Sequence, residues 1–215
     1  MLQFWKRIIN KFYFMKNITL YFLRHAESVY NREKIVQGQL DSPLTKEGRE
    51  MTEKIISKLD KLNLKNIFHS KLRRSRETAE IINKVLNLPI QERSGLEEMH
   101  FGDYQSELKL THWKEFAHQF YSNGEAPPGG ENKNDLVKRA ENAIIDLCRD
   151  LDEDPTLIVS HGMFMRILIG KWFTKWTEKA LLNLKTPNLG LYRVDVDFDV
   201  DNLVPRKFDF EDLIG

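Results

Sequence analysis

Apolar positions along this chain fall into two patterns: short runs without helical period, and longer stretches with apolar residues three and four apart. "NITLYFL" at 17–23 is β-branched and aromatic with no helical period, which predicts a strand buried on both faces. "SPLTKEGREMTEKIISKLDKL" at 42–62 places Met51, Ile55, Ile56, Leu59 and Leu62 at helical spacing behind Pro43. "KNIFHS" at 65–70 predicts a second short strand. Residues 70–86 predict a helix with Ser70 as N-cap and Ile81, Ile82 and Val85 on its buried side. Residues 134–151 form the clearest amphipathic helix, and 156–173 read as a strand, a turn at His161–Gly162 and a helix. Residues 189–200 alternate strictly from Tyr192 on, the mark of a half-buried strand. Between these lies a mixed stretch, 96–132, with a helix around Trp113–Tyr121 ended by a Gly/Pro-rich segment.

Strands alternating with helices predict an α/β protein: a mostly parallel sheet flanked by helices on both faces, with 96–132 as a small cap over it. No repeat or low-complexity linker divides the chain, so residues 17–215 read as a single domain behind an N-terminal extension, 1–16. That extension sets Trp5, Ile8, Ile9 and Phe12 at helical spacing among Lys6, Arg7 and Lys11. It lacks the continuous apolar region of a signal peptide. A helix packed on the domain or on a second subunit, a leader ahead of Met15, or a basic amphipathic helix on a membrane surface are its readings. Asp195, Asp197, Asp199 and Asp201 invite a calcium loop, but Val200 and Arg206 stand where glycine and glutamate are required. An outer-edge strand with a charged solvent face is expected instead.

Composition narrows the function. With 215 residues and a net charge of +1, the chain carries no general field for nucleic acid. A single cysteine, Cys148, excludes an intrachain disulfide and points to a reducing, cytoplasmic setting; its place on the buried side of a helix makes it inert. No apolar run reaches membrane-spanning length.

Two apolar strands end in histidine: "ITLYFLRH" at His25 and "TLIVSH" at His161. Ligands of open parallel sheets bind at the carboxyl ends of strands, so neighbouring strands would bring both imidazoles to one crevice. "SKLRRSRET" could add Arg73 or Arg74 beside Arg24. Guanidinium forks match phosphate oxygens, and positive neighbours keep an imidazole neutral and nucleophilic. A carboxylic acid is still needed to protonate the leaving oxygen, and "LEE" at 96–98 is the candidate source.

These motifs together resemble the histidine phosphatase superfamily, often called phosphoglycerate mutase-like, over roughly residues 18–192. "LRHAES" is similar to its Arg-His-Gly-Glu signature, with Ala26 where glycine is common. Asn31, "QG" at 37–38, "DSPLTKEG", "SKLRRSRETA", "LEEMHFG", "PPGGE", "VSHGM" and "TPN" at 186–188 follow in family order. The resemblance implies that His25 accepts the phosphoryl group, with Arg24, Arg74 and His161 forming the phosphate pocket. It implies Glu98, rather than Glu97, as general acid and then base. Ser28, Asn31, Gln37, Gly38 and Gly162 are its implied substrate-side residues, and no metal or other cofactor is implied. Gln105–Ser106 stand where many relatives have Glu-Gly, and Asn132 replaces a common serine, which leaves the identity of the substrate open.

The expected function is a metal-independent phosphatase for a small phosphorylated metabolite. A cofactor-dependent phosphoglycerate mutase is the alternative; such mutases carry a longer insertion than the short interval 99–127 here. A metallohydrolase is disfavoured by the lack of a close His-Glu-x-x-His ligand pair. A non-catalytic phospho-ligand binder is disfavoured by the retained nucleophile and acid. His69, His100, His112 and His118 are ordinary histidines on this reading, although His100 lies near the proposed acid.

Overall fold

Alternation along the first strand decides the architecture. In the computed structural model, which describes residues 15–200 and 202–214, strand β1 (Lys16–Arg24) sends Leu20 and Phe22 to one apolar cluster and Tyr21 and Leu23 to another. A strand with two apolar faces needs cover on both. On the first face the cover comes from α5 (Lys133–Asp150) and α6 (Gly162–Phe173). On the second it comes from α2 (Lys46–Asp60) and α3 (Arg73–Leu86), through Ile55, Ile56, Leu59, Ala79 and Ile82. The other strands are β2 (Asn66–His69), β3 (Ile90–Glu92), β4 (Thr156–Ser160), β5 (Gly190–Asp199) and β6 (Asn202–Asp212). They form one sheet in the order β3-β2-β4-β1-β5-β6. The first four are parallel, and β5 and β6 run antiparallel to their neighbours. The expected α/β class, with helices on both faces of a mostly parallel sheet, is therefore present.

Short elements complete the chain: α1 (Val29–Arg32), a 3-10 turn at Gly102–Tyr104, α4 (Lys109–Ala117) running into a π turn at His118–Asn123, and α7 (Glu178–Asn183). Among the described residues no helix is long and apolar enough to cross a membrane. Trp5, Ile8, Ile9 and Phe12 of the basic amphipathic segment lie outside the described residues, as does Asp201.

Three sequence expectations require correction. The strand carrying Asp195, Asp197 and Asp199 is not the outer edge, because β6 pairs along its whole length. β6 escapes periodicity because it contains Pro205 and is charged; the ladder accommodates them with a register shift, Asp195 facing Lys207 and Val196 facing Pro205. The acids are locally partnered, Asp195 accepting from Thr19 Oγ1 at 2.9 Å and Asp197 from Asn17 Nδ2 at 2.9 Å. Ser70 does not cap α3, which starts three residues later; Asp41 Oδ1 accepts the Arg73 N–H of its first turn at 3.0 Å instead. Val85 is 66% exposed, since the buried stripe of α3 passes from Ile82 to Leu86, one turn on.

Two departures from the family pattern have local explanations. Asn132 caps α5, its side chain accepting from the N–H groups of Asn134 and Asp135 at 2.9 and 3.0 Å, the service a serine gives at such a position. Ser106 takes a left-handed φ of 75° that favours glycine. Ser106→Gly is therefore expected to stabilise the protein by about 0.5–1 kcal/mol, raising the unfolding midpoint by about 1–4 °C in a thermal scan. A lowered midpoint contradicts this account of the turn.

Candidate active site

The parallel register of β1 and β4 sets Arg24 beside Ser160, so the next residue of each strand, His25 and His161, leaves the sheet side by side. Their ring centroids are 5.2 Å apart, and the His25 N–H donates to the Ser160 carbonyl at 3.0 Å. Both rings are buried, His25 at 1% exposure and His161 at 0%.

The tautomer of His25 is fixed by its neighbours. The Ala26 carbonyl lies 2.7 Å from Nδ1 and can only accept, so Nδ1 carries the proton. Nε2 faces the Arg74 Nε–H at 3.2 Å, a group that can only donate, so Nε2 keeps its lone pair. Burial, then Arg74 and Arg24, hold the imidazole well below its ordinary range. His161 is likewise held well below that range, first by burial and then by Arg74. Its Nε2 pairs with Ser70 Oγ at 2.6 Å, and its Nδ1 is buried without a partner.

Arg74 comes from the first turn of α3 and is 1% exposed. Besides His25, it donates to the carbonyls of Leu40 at 2.8 Å and Gly38 at 2.7 Å. Burial pushes the guanidinium down to about 10, still cationic near neutrality. The Gly38 carbonyl reaches it from a left-handed residue, φ 49°, where a Cβ would lie 2.0 Å from Gln105 Oε1. Gln105, a departure from the family pattern, fills that space and accepts the Gln39 N–H at 2.9 Å. Arg24 donates through Nη1 to the Thr186 carbonyl at 2.6 Å, while its Nε is buried without a partner. A Cβ at Gly162 would lie 3.3 Å from that guanidinium, so the glycine makes room for it. Among the described residues neither Arg24 nor Arg74 has an ion-pair partner. Two positive charges are concentrated here, with the Glu98 carboxylate across the same cavity acting on both.

Glu98 sits at the start of α6. Its Oε2 accepts from the Met163 N–H at 3.1 Å, and its Oε1 from Phe164 and Met99, both at 2.9 Å. A helix N-terminus supplies free N–H groups and a favourable dipole for a carboxylate. Glu97 turns away, accepting from the Gly95 N–H at 2.8 Å and lying 3.8 Å from Arg139. Arg139 of α5 makes a two-pronged pair with Glu131 at 2.8 Å on each prong, and also donates to the carbonyls of Gly95 and Glu97. The loop carrying Glu98 is thus tied to the helix behind it.

A cavity of about 550 Å³ opens here, lined by Arg24, His25, Asn31, Gln37, Gly38, Arg74, Glu98 and Gly162 among others. Eight of the residues anticipated from sequence thus share one space. Ser28 and His161 do not line it. Ser28 is buried behind it, capping α1 and donating to Gln37 Oε1 at 2.9 Å. His161 stands beside His25 but is fully buried. His100 does not line the cavity either; its Nδ1 accepts the Gly102 N–H at 3.1 Å. Sequence reasoning missed Arg166 and Thr186, both on the cavity wall. Arg166 donates to the Leu184 carbonyl and Thr186 Oγ1, each at 3.2 Å. A charge within the apolar first two turns of α6, one turn beyond Gly162, was the available signal.

The arrangement presents a neutral imidazole with an unprotonated Nε2, two guanidinium groups without a close ion pair and a carboxylate in the same cavity, the equipment for handling a phosphoryl group. Residues 20–205 match the model of the histidine phosphatase superfamily (branch 1). The chain belongs to that superfamily. It is 32% identical over 186 residues to the probable phosphoglycerate mutase GpmB of Escherichia coli O1:K1 / APEC, covering 83% of this chain and 85% of the relative. YhfR of Bacillus stearothermophilus has 28% identity and a TM-score of 0.74, covering 87% of this chain and 95% of that one. The mycobacterial glucosyl-3-phosphoglycerate phosphatase Rv2419c, solved with VO3, shares the fold at 24% identity and a TM-score of 0.75, over 87% and 96% of the two chains. As in the family pattern, the Arg-His pair ends the first strand, and Asn188 of "TPN" steadies it by donating to the His25 carbonyl at 2.8 Å.

Keeping both imidazoles neutral has a thermodynamic consequence. The unfolded chain takes up protons on these histidines as pH falls through the ordinary value of 6.5, whereas the folded protein does not. Stability is therefore unaffected by them above that pH and lost progressively below it, by up to about 1.4 kcal/mol per pH unit for each histidine. Urea unfolding between pH 7.5 and 5 is expected to show this decline, and His161→Asn to make it shallower. A flat profile contradicts the buried, neutral pair.

Proposed function

We propose that the protein is a metal-independent phosphatase that hydrolyses a small phosphomonoester through a phosphohistidine at His25. The observation carrying this reading is the fixed tautomer: Nδ1–H held by the Ala26 carbonyl and an Nε2 lone pair directed at Arg74. Arg24 and Arg74 bind the non-bridging oxygens of the phosphate dianion, Arg74 shifting its Nε–H from His25 to an incoming oxygen. Nε2 attacks phosphorus in line, and the P–O bond to the alcohol breaks as Glu98, which takes up a proton from solvent as the phosphate dianion arrives beside it, passes that proton to the leaving oxygen. Water then attacks the N–P bond with Glu98 as base, returning His25 to its neutral form and releasing phosphate. His161 stands beside His25, paired through Nε2 with Ser70 Oγ, and positions the nucleophile from outside the cavity lining. The arginines stabilise charge on the equatorial oxygens, where fixed donors in a water-poor site are most effective.

A mutase reading is favoured by one observation, the name of the E. coli relative. The same phosphohistidine would then return its phosphoryl group to a hydroxyl of the product. The short interval 99–127, which leaves a modest cap over the cavity, supports water as the acceptor.

Phosphate release from a panel of phosphomonoesters in EDTA is the test. Release is expected to persist in chelator and to fall by about three orders of magnitude or more in His25→Ala. Glu98→Gln is expected to lose about 10²–10⁴-fold in kcat, most strongly for poor leaving groups, since those depend on the proton it supplies. Release abolished by EDTA contradicts the proposal, and isomerisation of 3-phosphoglycerate primed by its bisphosphate, without net release, favours the mutase.

A further inference from the structure

Only one end of the cavity is built for phosphate. Elsewhere the lining is aromatic and aliphatic, with Tyr30, Ile35, Val36, Phe101 and Trp113. Val36, Phe101 and Trp113 also border a small side cleft that continues toward Leu108 and Phe116. These rings are set before any ligand arrives: Trp113 packs on Phe116 at 5.5 Å between centroids, and Phe116 on Phe101 at 5.2 Å. Phe116 is itself buried and stacked on Phe120 at 5.1 Å, so the wall has a rigid backing.

A polar leaving group such as glycerate would leave that wall wet and the roughly 550 Å³ cavity largely unfilled. Recognition of a second anionic group would need a committed cation there. Lys34 stands exposed at the mouth, where water and salt screen its charge. Arg166, bound to the Leu184 carbonyl and Thr186 Oγ1 with its Nε unpartnered, acts electrostatically on Arg24, so its charge belongs to the phosphate end.

We infer that the outer half of this cavity selects phosphomonoesters whose alcohol carries an aromatic or similarly broad apolar group, with Trp113 as its principal contact. The inference rests on reading the same site as a phosphomonoester site, and it names the class of substrate. The phosphate enters between Arg24 and Arg74, and the ring lies along Trp113 and Phe101.

Calorimetric binding of phenylphosphonate and methylphosphonate to the intact protein tests it without requiring turnover. Phenylphosphonate is expected to bind about tenfold tighter or more, the return on removing one ring from water. Trp113→Ala is expected to erase most of that preference and Trp113→Phe to keep it, which separates a lost contact from a misfolded cap. Equal affinity for the two probes, no binding of either, or a preference that survives Trp113→Ala overturns the inference. Hydrolysis of 1-naphthyl phosphate and glycerol phosphate separates it from the function proposed above. A phenyl preference without phosphate release supports this inference and contradicts the phosphatase; release with no preference in binding does the reverse.

Discussion

A buried guanidinium without a carboxylate is the constraint on which this site rests. Arg74 is nearly inaccessible to water, and burying an unpaired cation is costly unless its hydrogens are answered. The protein answers them with groups that carry no net charge: the carbonyls of Gly38 and Leu40 and the lone pair of His25. Three consequences follow from that one choice. The loop at 37–40 is pulled against the end of α3. His25 is held in the tautomer that leaves Nε2 free of a proton. The positive charge itself is not cancelled, so the site favours an anion.

The sheet supplies the rest. Pairing β1 with β4 in parallel register puts two histidines at one strand end, and α6 starts at once after the second of them. The first N–H groups of α6 then hold the Glu98 carboxylate, while Arg139 and Glu131 fasten the loop from which Glu98 comes. His25, the two guanidinium groups and Glu98 are thus attached to rigid elements, and the cap, α4 with the turns around it, supplies the side walls. Such a division explains how one phosphate end can serve relatives that differ in what they act on.

The parts legible in the sequence were those with a strong local signal. Strands β1 and β4 are short apolar runs that stop at histidine, and the helices α2, α3 and α5 carry a clear period. Glu98 was separable from Glu97 only through the family pattern, and the geometry turns the two in opposite directions. Less legible was whatever depends on distant partners. β6 contains a proline and half its side chains face water, so it is a strand only because β5 offers it a ladder. Ser28 was expected at the substrate; it is a buried cap that positions Asn31 and Gln37, a role set by tertiary packing. Arg166 is an ordinary arginine by sequence and a wall of the cavity only because α6 points it there.

The central claim is that His25 Nε2 forms a bond to phosphorus. The most direct measurement is to mix the protein with a turned-over phosphomonoester, quench in alkali within the first turnovers, and locate the modified peptide by mass spectrometry. The account predicts one added phosphoryl group on the peptide carrying His25, lost on acidification as an N–P bond is, and absent from the peptide carrying His161. Phosphate release with an unmodified His25, or a phosphoryl group found on another residue, contradicts it.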